Sequence, residues 1–353
     1  MSWTENPLGH DDVVEGLWRA ERLGRLPHAM LFEGPPGIGK FGAAVWFARG
    51  LYCTEGPGAP CGTCGPCKRI LAGTHPDFFL LDPVEEELEI IKVEKIKESE
   101  GGRDSIEHFL ALRPAEGGKR VVIVREFDRA GIHAQNALLK TLEEPGESAL
   151  LILETSRVEE LLDTVRSRCV KVRFEGLEPE VAKAVLERQG MAPEAAREVL
   201  PWSDGSPGRA LALVREGAPD LRRAFEAVLV DGADPLEVTI QILALAGEFP
   251  GKTPTAQNRA RVRSALDLLL AILRDGLRHV SGAPVAGLAH GDLVARMSFS
   301  EVAWASALER VLALRGEVEL NLPPEGILDR ALLALPGVLS TPRASRAADS
   351  SRS

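Results

Sequence analysis

The sequence predicts an α/β protein in which a parallel sheet domain is followed by a region built of helices. Short apolar runs alternate with helical patterns over residues 1–175, as a parallel sheet requires. One of these runs leads into a glycine-rich turn at residues 34–40. From about Leu211 onward the chain contains only amphipathic helical segments.

Five short apolar runs are predicted to be strands, because each is bounded by turn residues. They are Ala29–Glu33, Phe78–Leu81 and residues 119–125, 149–154 and 170–174. Helical spacing is found at residues 41–51, 134–144, 179–199, 261–273 and 301–314, and a last helix is expected from Pro323–Pro324 to near Pro336.

These elements divide the chain into four predicted parts. They are a sheet domain (1–175) with a cysteine-rich insert (about 53–67), a small helical domain (176–212), a larger helical domain (213–336) and a tail (337–353). The tail contains few apolar residues and is predicted to be disordered. The acidic stretch at residues 85–89 is predicted to be a solvated loop.

The composition is typical of a soluble globular protein, since 44% of the 353 residues are hydrophobic and 27% are charged. The net charge of −10 argues against non-specific nucleic-acid binding by the free chain. Residues 1–12 lack the basic and then apolar pattern of a signal peptide, so the expected location is the cytoplasm.

A phosphate-binding loop is predicted at residues 34–40, whose sequence GPPGIGK lies between a strand and a helix. Gly34, Gly37 and Gly39 would let backbone N–H groups surround phosphate oxygens, and Lys40 would reach the outer phosphates. The next residue in such loops normally carries a hydroxyl that binds Mg²⁺, whereas here it is Phe41. Nucleotide binding is therefore expected to be weak or vestigial.

The strand at residues 119–125 should deliver the carboxylates that complete a magnesium site. The position expected to orient the metal is occupied by Arg125, a cation that would repel Mg²⁺. Glu126 stands at the position of a water-activating base, and Asp128 follows two residues later. Phe41 and Arg125 both act against the same metal, so we expect little or no ATP hydrolysis.

Four of the five cysteines lie within fifteen residues, namely Cys53, Cys61, Cys64 and Cys67. Four thiolates complete a tetrahedral zinc site, and glycine and proline between them suit a tight knuckle. Since four sulfur ligands leave no open coordination position, the predicted Zn²⁺ is structural. Cys169 stands alone and is predicted to be a small buried hydrophobic residue.

These motifs together resemble the clamp-loader subunits of bacterial DNA polymerase III, which belong to the AAA+ class, and most closely the delta-prime type. The resemblance covers about residues 8–210. It is carried by Leu26-Pro27-His28-Ala29, the loop at 34–40, the four-cysteine insert, His75-Pro76-Asp77, residues 136–145 (NALLKTLEEP), Ser167-Arg168-Cys169 and Gly205-Ser206-Pro207-Gly208. Asn321-Leu322, before the last helix, weakly resembles the third domain of the family, the collar domain.

The resemblance implies an AAA+ P-loop sheet domain with a zinc module, a helical lid domain and an all-α collar domain. It also implies that Arg168 is an arginine finger, which would stabilise charge on the ATP of a neighbouring subunit. The chain would then be a stator that assembles with delta and gamma/tau subunits and helps to load the sliding clamp onto primed DNA.

Other candidates follow from the same resemblance. Thr155 and Ser156 follow a strand where the family often has a polar sensor, for which Thr155 is the candidate, or else they cap the next helix. Arg209 would be a second sensor, although it lies one place later than in the motor subunits. Lys140 would face solvent or DNA, whereas His28 and His75 are expected to be structural.

Two alternatives remain open from the sequence. The chain could be an active ATPase of the gamma/tau kind, because the glycines and Lys40 of the loop are retained. It could also be a zinc-dependent nucleic-acid-binding module outside replication.

Overall fold

The computed structural model describes residues 7–56, 58–86, 88–97, 105–251, 253–318, 320 and 322–336. The chain forms two compact units. The first contains residues up to Gln189 and Gly205–Arg209, and the second contains Gly190–Asp204 and residues from Ala210 onward. The predicted tail at 337–353, together with Asn321 of the weak collar motif, lies outside the described residues.

The first unit is built on a five-stranded parallel sheet in the order β2-β3-β4-β1-β5. The strands are β1 (Ala29–Glu33), β2 (Phe78–Leu81), β3 (Arg120–Val124), β4 (Ala149–Thr155) and β5 (Val170–Arg173). All five predicted strands are therefore present, with ends that differ by at most one residue. The α/β class is confirmed.

The helices of this unit connect the strands or flank the sheet. They are α1 (Asp11–Arg22), α2 (Lys40–Tyr52), α3 (Gly65–Leu71), α4 (Val93–Ile96), α5 (Ile106–Ala111), α6 (Ile132–Glu143), α7 (Asp163–Arg166) and α8 (Pro179–Arg188). Strands β1, β3 and β4 are buried along their whole length, whereas β5 is mostly exposed at the edge. Because all strands are parallel, their carboxyl ends meet at one edge of the sheet, where ligands of such folds bind.

The second unit is helical. Its helices are α9 (Pro193–Val199), α10 (Pro207–Arg215, of which the first three residues belong to the first unit), α11 (Ala218–Leu229), α12 (Pro235–Ala244), α13 (Pro254–Val280), α14 (Gly291–Val294), α15 (Glu301–Glu317) and α16 (Pro324–Leu333). The central helix α13 packs against α11, α14, α15 and α16. At Gly276 a side chain would meet the buried ring of Trp304 at 2.6 Å, so glycine permits the close contact of α13 with α15.

One predicted feature differs in the structure. Residues 179–199 form two helices rather than one, because Gly190 adopts a left-handed conformation (φ 84°) and Pro193 begins α9. The two compact units divide between α8 and α9. The division at 175 and 212 remains a prediction. Of the helices that the structure describes, none is both long and apolar enough to cross a lipid bilayer.

Candidate nucleotide and metal sites

The glycine-rich loop connects β1 to α2 at the carboxyl edge of the sheet. Gly37 (φ 73°) and Gly39 (φ 108°) lie in the left-handed region, and Lys40 is the first residue of α2. Residues with a Cβ rarely adopt these conformations, so the glycines are required for the shape of the loop. The loop thus lies between a strand and a helix, as the sequence predicts.

Lys40 is buried (2% exposed) and is bound by groups of its own chain. Its ammonium donates hydrogen bonds to the carbonyls of Gly34 (2.9 Å) and Pro35 (2.7 Å) and to Oγ of Ser156 (2.8 Å). It also pairs with Glu154 Oε1 at 3.2 Å. Burial lowers the pKa of Lys40, and the Glu154 carboxylate opposes this shift. Phosphate oxygens would have to replace these contacts.

The two residues that depart from a magnesium site contact each other. The guanidinium of Arg125 lies over the ring of Phe41, 4.9 Å from its centroid, and Nη1 donates to Asp82 Oδ2 at 2.9 Å. Asp82 follows β2 and is buried (3% exposed). The only carboxylate in this trio is therefore already neutralised by Arg125, while Phe41 offers no oxygen. This arrangement provides a cation where a metal site needs anions.

Glu126, at the predicted position of the base, is held by two contacts. Its carboxylate pairs with Arg129 (2.6 Å), and its backbone N–H donates to Glu154 Oε2 (2.9 Å). It adopts φ 47°, a left-handed conformation that is uncommon for a residue with a side chain. Glu154 therefore links Lys40 to the end of β3.

Asp128 is bound from the next loop. It accepts hydrogen bonds from the hydroxyl of Thr155 (2.8 Å), from the N–H of Ser156 (3.3 Å) and from Nε of Arg157 (3.0 Å). The Thr155 hydroxyl in turn accepts from the Arg157 N–H (3.0 Å). The hydroxyl of Thr155 is thus engaged with Asp128, and it is the neighbouring Ser156 that contacts Lys40. A nucleotide-sensing role for Thr155 remains a prediction.

The segment Gly205–Arg209 packs directly on the phosphate loop. Ser206 Oγ donates to the Pro36 carbonyl (2.7 Å), and the Gly208 N–H donates to the Gly37 carbonyl (2.9 Å). A Cβ on Gly208 would lie 2.6 Å from Gly37 Cα, so both glycines are needed for this backbone contact. The Arg209 N–H donates to Ser206 Oγ (3.2 Å), which positions the predicted second sensor beside the loop.

His10 also contacts the phosphate loop. Its Nε2 lies 2.8 Å from the Ile38 carbonyl, and its ring contacts Phe174 edge-on at 4.9 Å. Burial lowers the pKa of His10, which favours the neutral ring donating to the carbonyl.

The four clustered cysteines converge in the loop after α2 and at the start of α3. Their Sγ atoms all lie within 4.8 Å of one another. A zinc ion with Zn–S bonds of about 2.3 Å would hold tetrahedral sulfurs roughly 3.8 Å apart, so the four thiols fit such a group. Cys67 is fully buried, whereas Cys61 and Cys64 are partly accessible. The donor set of Cys53, Cys61, Cys64 and Cys67 could therefore hold zinc.

The segment from Cys61 to Cys67, which we call the knuckle, donates hydrogen bonds to the sulfur of Cys61. Cys61 Sγ accepts from the N–H groups of Thr63 (3.4 Å) and Cys64 (3.3 Å) and from the Thr63 hydroxyl (3.4 Å). The Thr63 hydroxyl contributes most to lowering the Cys61 pKa to about 6, with help from the two N–H groups. These bonds favour the thiolate, which is the form that binds metal. In the buried Cys67, burial raises the pKa of the thiol to about 12.

Arg168 lies on the surface between α7 and β5. Its Nε donates to Glu143 Oε1 (2.9 Å), its Nη2 lies 2.5 Å from the same oxygen, and its Nη1 donates to the Thr164 carbonyl (3.0 Å). The side chain is about one-third exposed. Burial raises the pKa of the adjacent Cys169 to about 12, which suits the predicted inert hydrophobic residue.

The remaining candidates have local partners. His28 Nε2 lies 3.1 Å from the Leu142 carbonyl, and the ring of the buried His75 contacts that of Tyr52 at a tilt of 39°, with the centroids 4.3 Å apart. Lys140 is largely exposed, and its Nζ lies 3.7 Å from Glu107 Oε1. These contacts agree with structural histidines and with a solvent-facing Lys140.

Sequence reasoning did not identify Asp82 or Glu154 as parts of the loop region. Each lies just beyond or at the end of a strand, which was the available signal, because such positions meet at the carboxyl edge of a parallel sheet. The contacts of these residues with Arg125 and Lys40 depend on the order of the strands in the sheet, which no local sequence pattern predicts.

Comparison with known proteins identifies the family. Residues 9–178 match the family model described as DNA polymerase III, delta subunit. DNA polymerase III subunit delta' of Escherichia coli is 32% identical over 291 residues, which cover 80% of each chain. The same subunit of Bacillus subtilis is 34% identical over 197 residues, or 56% of this chain and 57% of the relative.

A tau subunit is similar over a shorter stretch. DNA polymerase III subunit tau of Escherichia coli is 33% identical over 181 residues, which cover 51% of this chain and 26% of tau. The alignment thus spans little more than half of the Bacillus subtilis delta' subunit and about a quarter of tau, but four-fifths of the Escherichia coli delta' subunit. The chain belongs to the delta-prime family of DNA polymerase III clamp-loader subunits.

Proposed function

We propose that this chain is the stator of a clamp loader. It assembles with delta and gamma/tau subunits, helps to load the sliding clamp onto primed DNA, and acts through its neighbours' ATP rather than its own. Under this proposal the chain acts in the cytoplasm. The observation that carries it is the contact of Arg125 with Asp82 and Phe41, which supplies a cation and a ring where Mg²⁺ needs oxygen ligands.

The contacts of the loop support the same conclusion. Lys40 is bound by Glu154, Ser156 and two loop carbonyls, and Glu126 is bound by Arg129. A nucleotide would have to displace these partners without the aid of a bound metal. Hydrolysis also needs a free base at the position of Glu126, whose carboxylate is paired.

Turnover of Mg-ATP by the purified chain tests the proposal. We expect no activity above background for the wild type, and Lys40→Ala should change nothing. Robust turnover that Lys40→Ala abolishes would support the alternative, an active gamma/tau-like ATPase, which the retained glycines of the loop favour.

Arg168 is proposed as the finger in trans. Its guanidinium is at the surface and held by Glu143 and Thr164, so a neighbour's γ-phosphate would only have to replace an exposed ion pair. In a reconstituted loader, Arg168→Ala should lower ATP hydrolysis at the adjoining site, with losses of about 10³–10⁵ in related systems. The exposed Lys171→Ala is the control. If DNA and clamp stimulate ATP hydrolysis equally in loaders that contain Arg168→Ala or Lys171→Ala, Arg168 is not the finger.

We further propose that the cysteine module binds one structural Zn²⁺ through Cys53, Cys61, Cys64 and Cys67. The convergence of four sulfurs within 4.8 Å supports this proposal. The other alternative from the sequence, a zinc-dependent nucleic-acid-binding module outside replication, does not agree with membership of the delta-prime family. It predicts salt-sensitive DNA binding by the isolated chain, which the net charge of −10 disfavours.

A further inference from the structure

Arg49 is a fully buried arginine at the cysteine module. It lies in the last turn of α2, four residues before Cys53, so the two side chains project from the same side of the chain. Its carbonyl lies 4.0 Å from Cys67 Sγ. A guanidinium is always charged in proteins, and a buried charge is costly unless an opposite charge lies close to it.

Gly62 brings the guanidinium close to the knuckle. This residue stands between Cys61 and Cys64 and adopts φ 75°. A Cβ on Gly62 would lie 3.3 Å from Arg49 Nη2, so the guanidinium lies against the backbone that carries two of the four sulfurs. The absence of a side chain at Gly62 leaves room for this approach.

Arg69 makes a similar approach from outside the module. A Cβ on Gly65, between Cys64 and Cys67, would lie 3.2 Å from Arg69 Nη1. Arg69 differs from Arg49, since its side chain is partly exposed and pairs with Glu116 at 2.6 Å. Of these two arginines, Arg49 is the one whose charge is wholly removed from solvent.

We propose that Arg49 balances the charge of the four-sulfur zinc group and thereby increases the affinity of the module for zinc. Four thiolates and one Zn²⁺ carry a net charge of −2, which a buried cation stabilises strongly at low dielectric. In the opposite direction, the thiolates offset the cost of burying Arg49. This inference rests on the proposed zinc site and adds a residue that no sulfur motif reveals.

Zinc affinity of the full-length chain, measured by competition with a chromogenic chelator, tests the proposal. Arg49→Met keeps most of the apolar stem and removes the charge, and we expect zinc affinity to fall about 10- to 100-fold, as for other outer partners of metal ligands. Arg49→Lys keeps the charge and should stay within about threefold of the wild type. Lys68→Met removes an exposed cation beside Cys67 and should have no effect.

Arg49→Met with wild-type zinc affinity would overturn the proposal. If Arg49→Met does not fold, Arg49→Gln replaces it and must lose at least about tenfold in affinity relative to Arg49→Lys. Equal affinities of these two variants would likewise overturn the proposal. A wild-type chain that takes up no zinc would contradict the zinc site itself, so the two failures are distinguishable.

Discussion

The cysteine module and the phosphate loop lie in the same unit, and each brings together residue types that bind an ion, but the partners of those residues differ. The four sulfurs converge on one another, and Cys61 Sγ accepts hydrogen bonds from N–H and O–H groups of Thr63 and Cys64. At the phosphate loop, Lys40 pairs with Glu154, and Arg125 pairs with Asp82. We therefore expect the partners of a motif within the chain to decide whether the motif binds its ion.

The largest expected effect is at the cysteine module. Cys61→Ser/Cys64→Ser should reduce bound zinc from about one per chain to none, because two ligands cannot hold a structural site. The free energy of unfolding should fall by several kcal/mol or more, since zinc binding contributes about 10–16 kcal/mol to the folding of small zinc domains. Elemental analysis and thermal unfolding measure both effects. Cys169→Ala should retain the zinc, and a wild-type chain indifferent to chelators would contradict the prediction.

The next effect concerns the packing of the phosphate loop. Gly208→Ala should destabilise the chain by about 1–3 kcal/mol, because the new methyl group would meet Gly37 backbone atoms at 2.6–3.1 Å. Denaturant unfolding measures this loss. Gly16→Ala is a matched control within helix α1, where nothing lies within 4 Å of the new methyl group. It should stabilise the chain by about 0.5–1 kcal/mol. Equal effects would show that Gly208 is not a close contact in solution.

Restoring the missing oxygens should make the loop resemble a metal site. In Phe41→Thr/Arg125→Asp, Mg²⁺ should increase ATP affinity at least about tenfold, or roughly 1.4 kcal/mol, whereas the wild type should show no dependence on Mg²⁺. Fluorescent nucleotide titrations with Mg²⁺ or EDTA measure this. Phe41→Leu/Arg125→Met removes the same ring and cation without adding oxygen and should gain nothing. Tighter ATP binding by the wild type with Mg²⁺ would contradict the comparison.

The smallest expected effect is at His10. His10→Gln should cost about 1 kcal/mol at pH 7 by weakening the bond to Ile38. Because the pKa of His10 is lowered from 6.5, the unfolded chain binds more protons below pH 6.5, and wild-type stability falls as the pH drops through that window. The variant should lack this part of the slope, at most about 1.4 kcal/mol per pH unit. Parallel stability-pH curves would contradict this assignment.

Much of the fold was predictable because its signals are local. Buried parallel strands are short apolar runs, and residues 149–154 (ALLILE) correspond to β4 almost residue for residue. The break between α8 and α9 was missed, because apolar spacing continues across Gly190. The spacing of apolar residues does not show where a left-handed glycine interrupts a helix, because glycine adds no apolar side chain to the pattern.

The site was predictable only in part. The departures at Phe41 and Arg125 are visible in the sequence, but their mutual contact and the pairing of Arg125 with Asp82 depend on β2 and β3 being neighbours. Likewise, only the position of β4 beside β1 brings Glu154 to Lys40. Cysteine spacing, in contrast, defines a donor set within one short segment, so the sequence alone was enough to locate it.

The bonds from Ser206 and Gly208 to the loop carbonyls have a consequence for how the chain would respond to the state of the cell. They are direct bonds between the start of α10 and the loop, and both partners belong to this chain. Under the proposed function, in which this chain does not hydrolyse its own ATP, the connection would stay the same whether the ratio of ATP to ADP is high or low, and the chain would give the moving parts of the assembly a fixed reference.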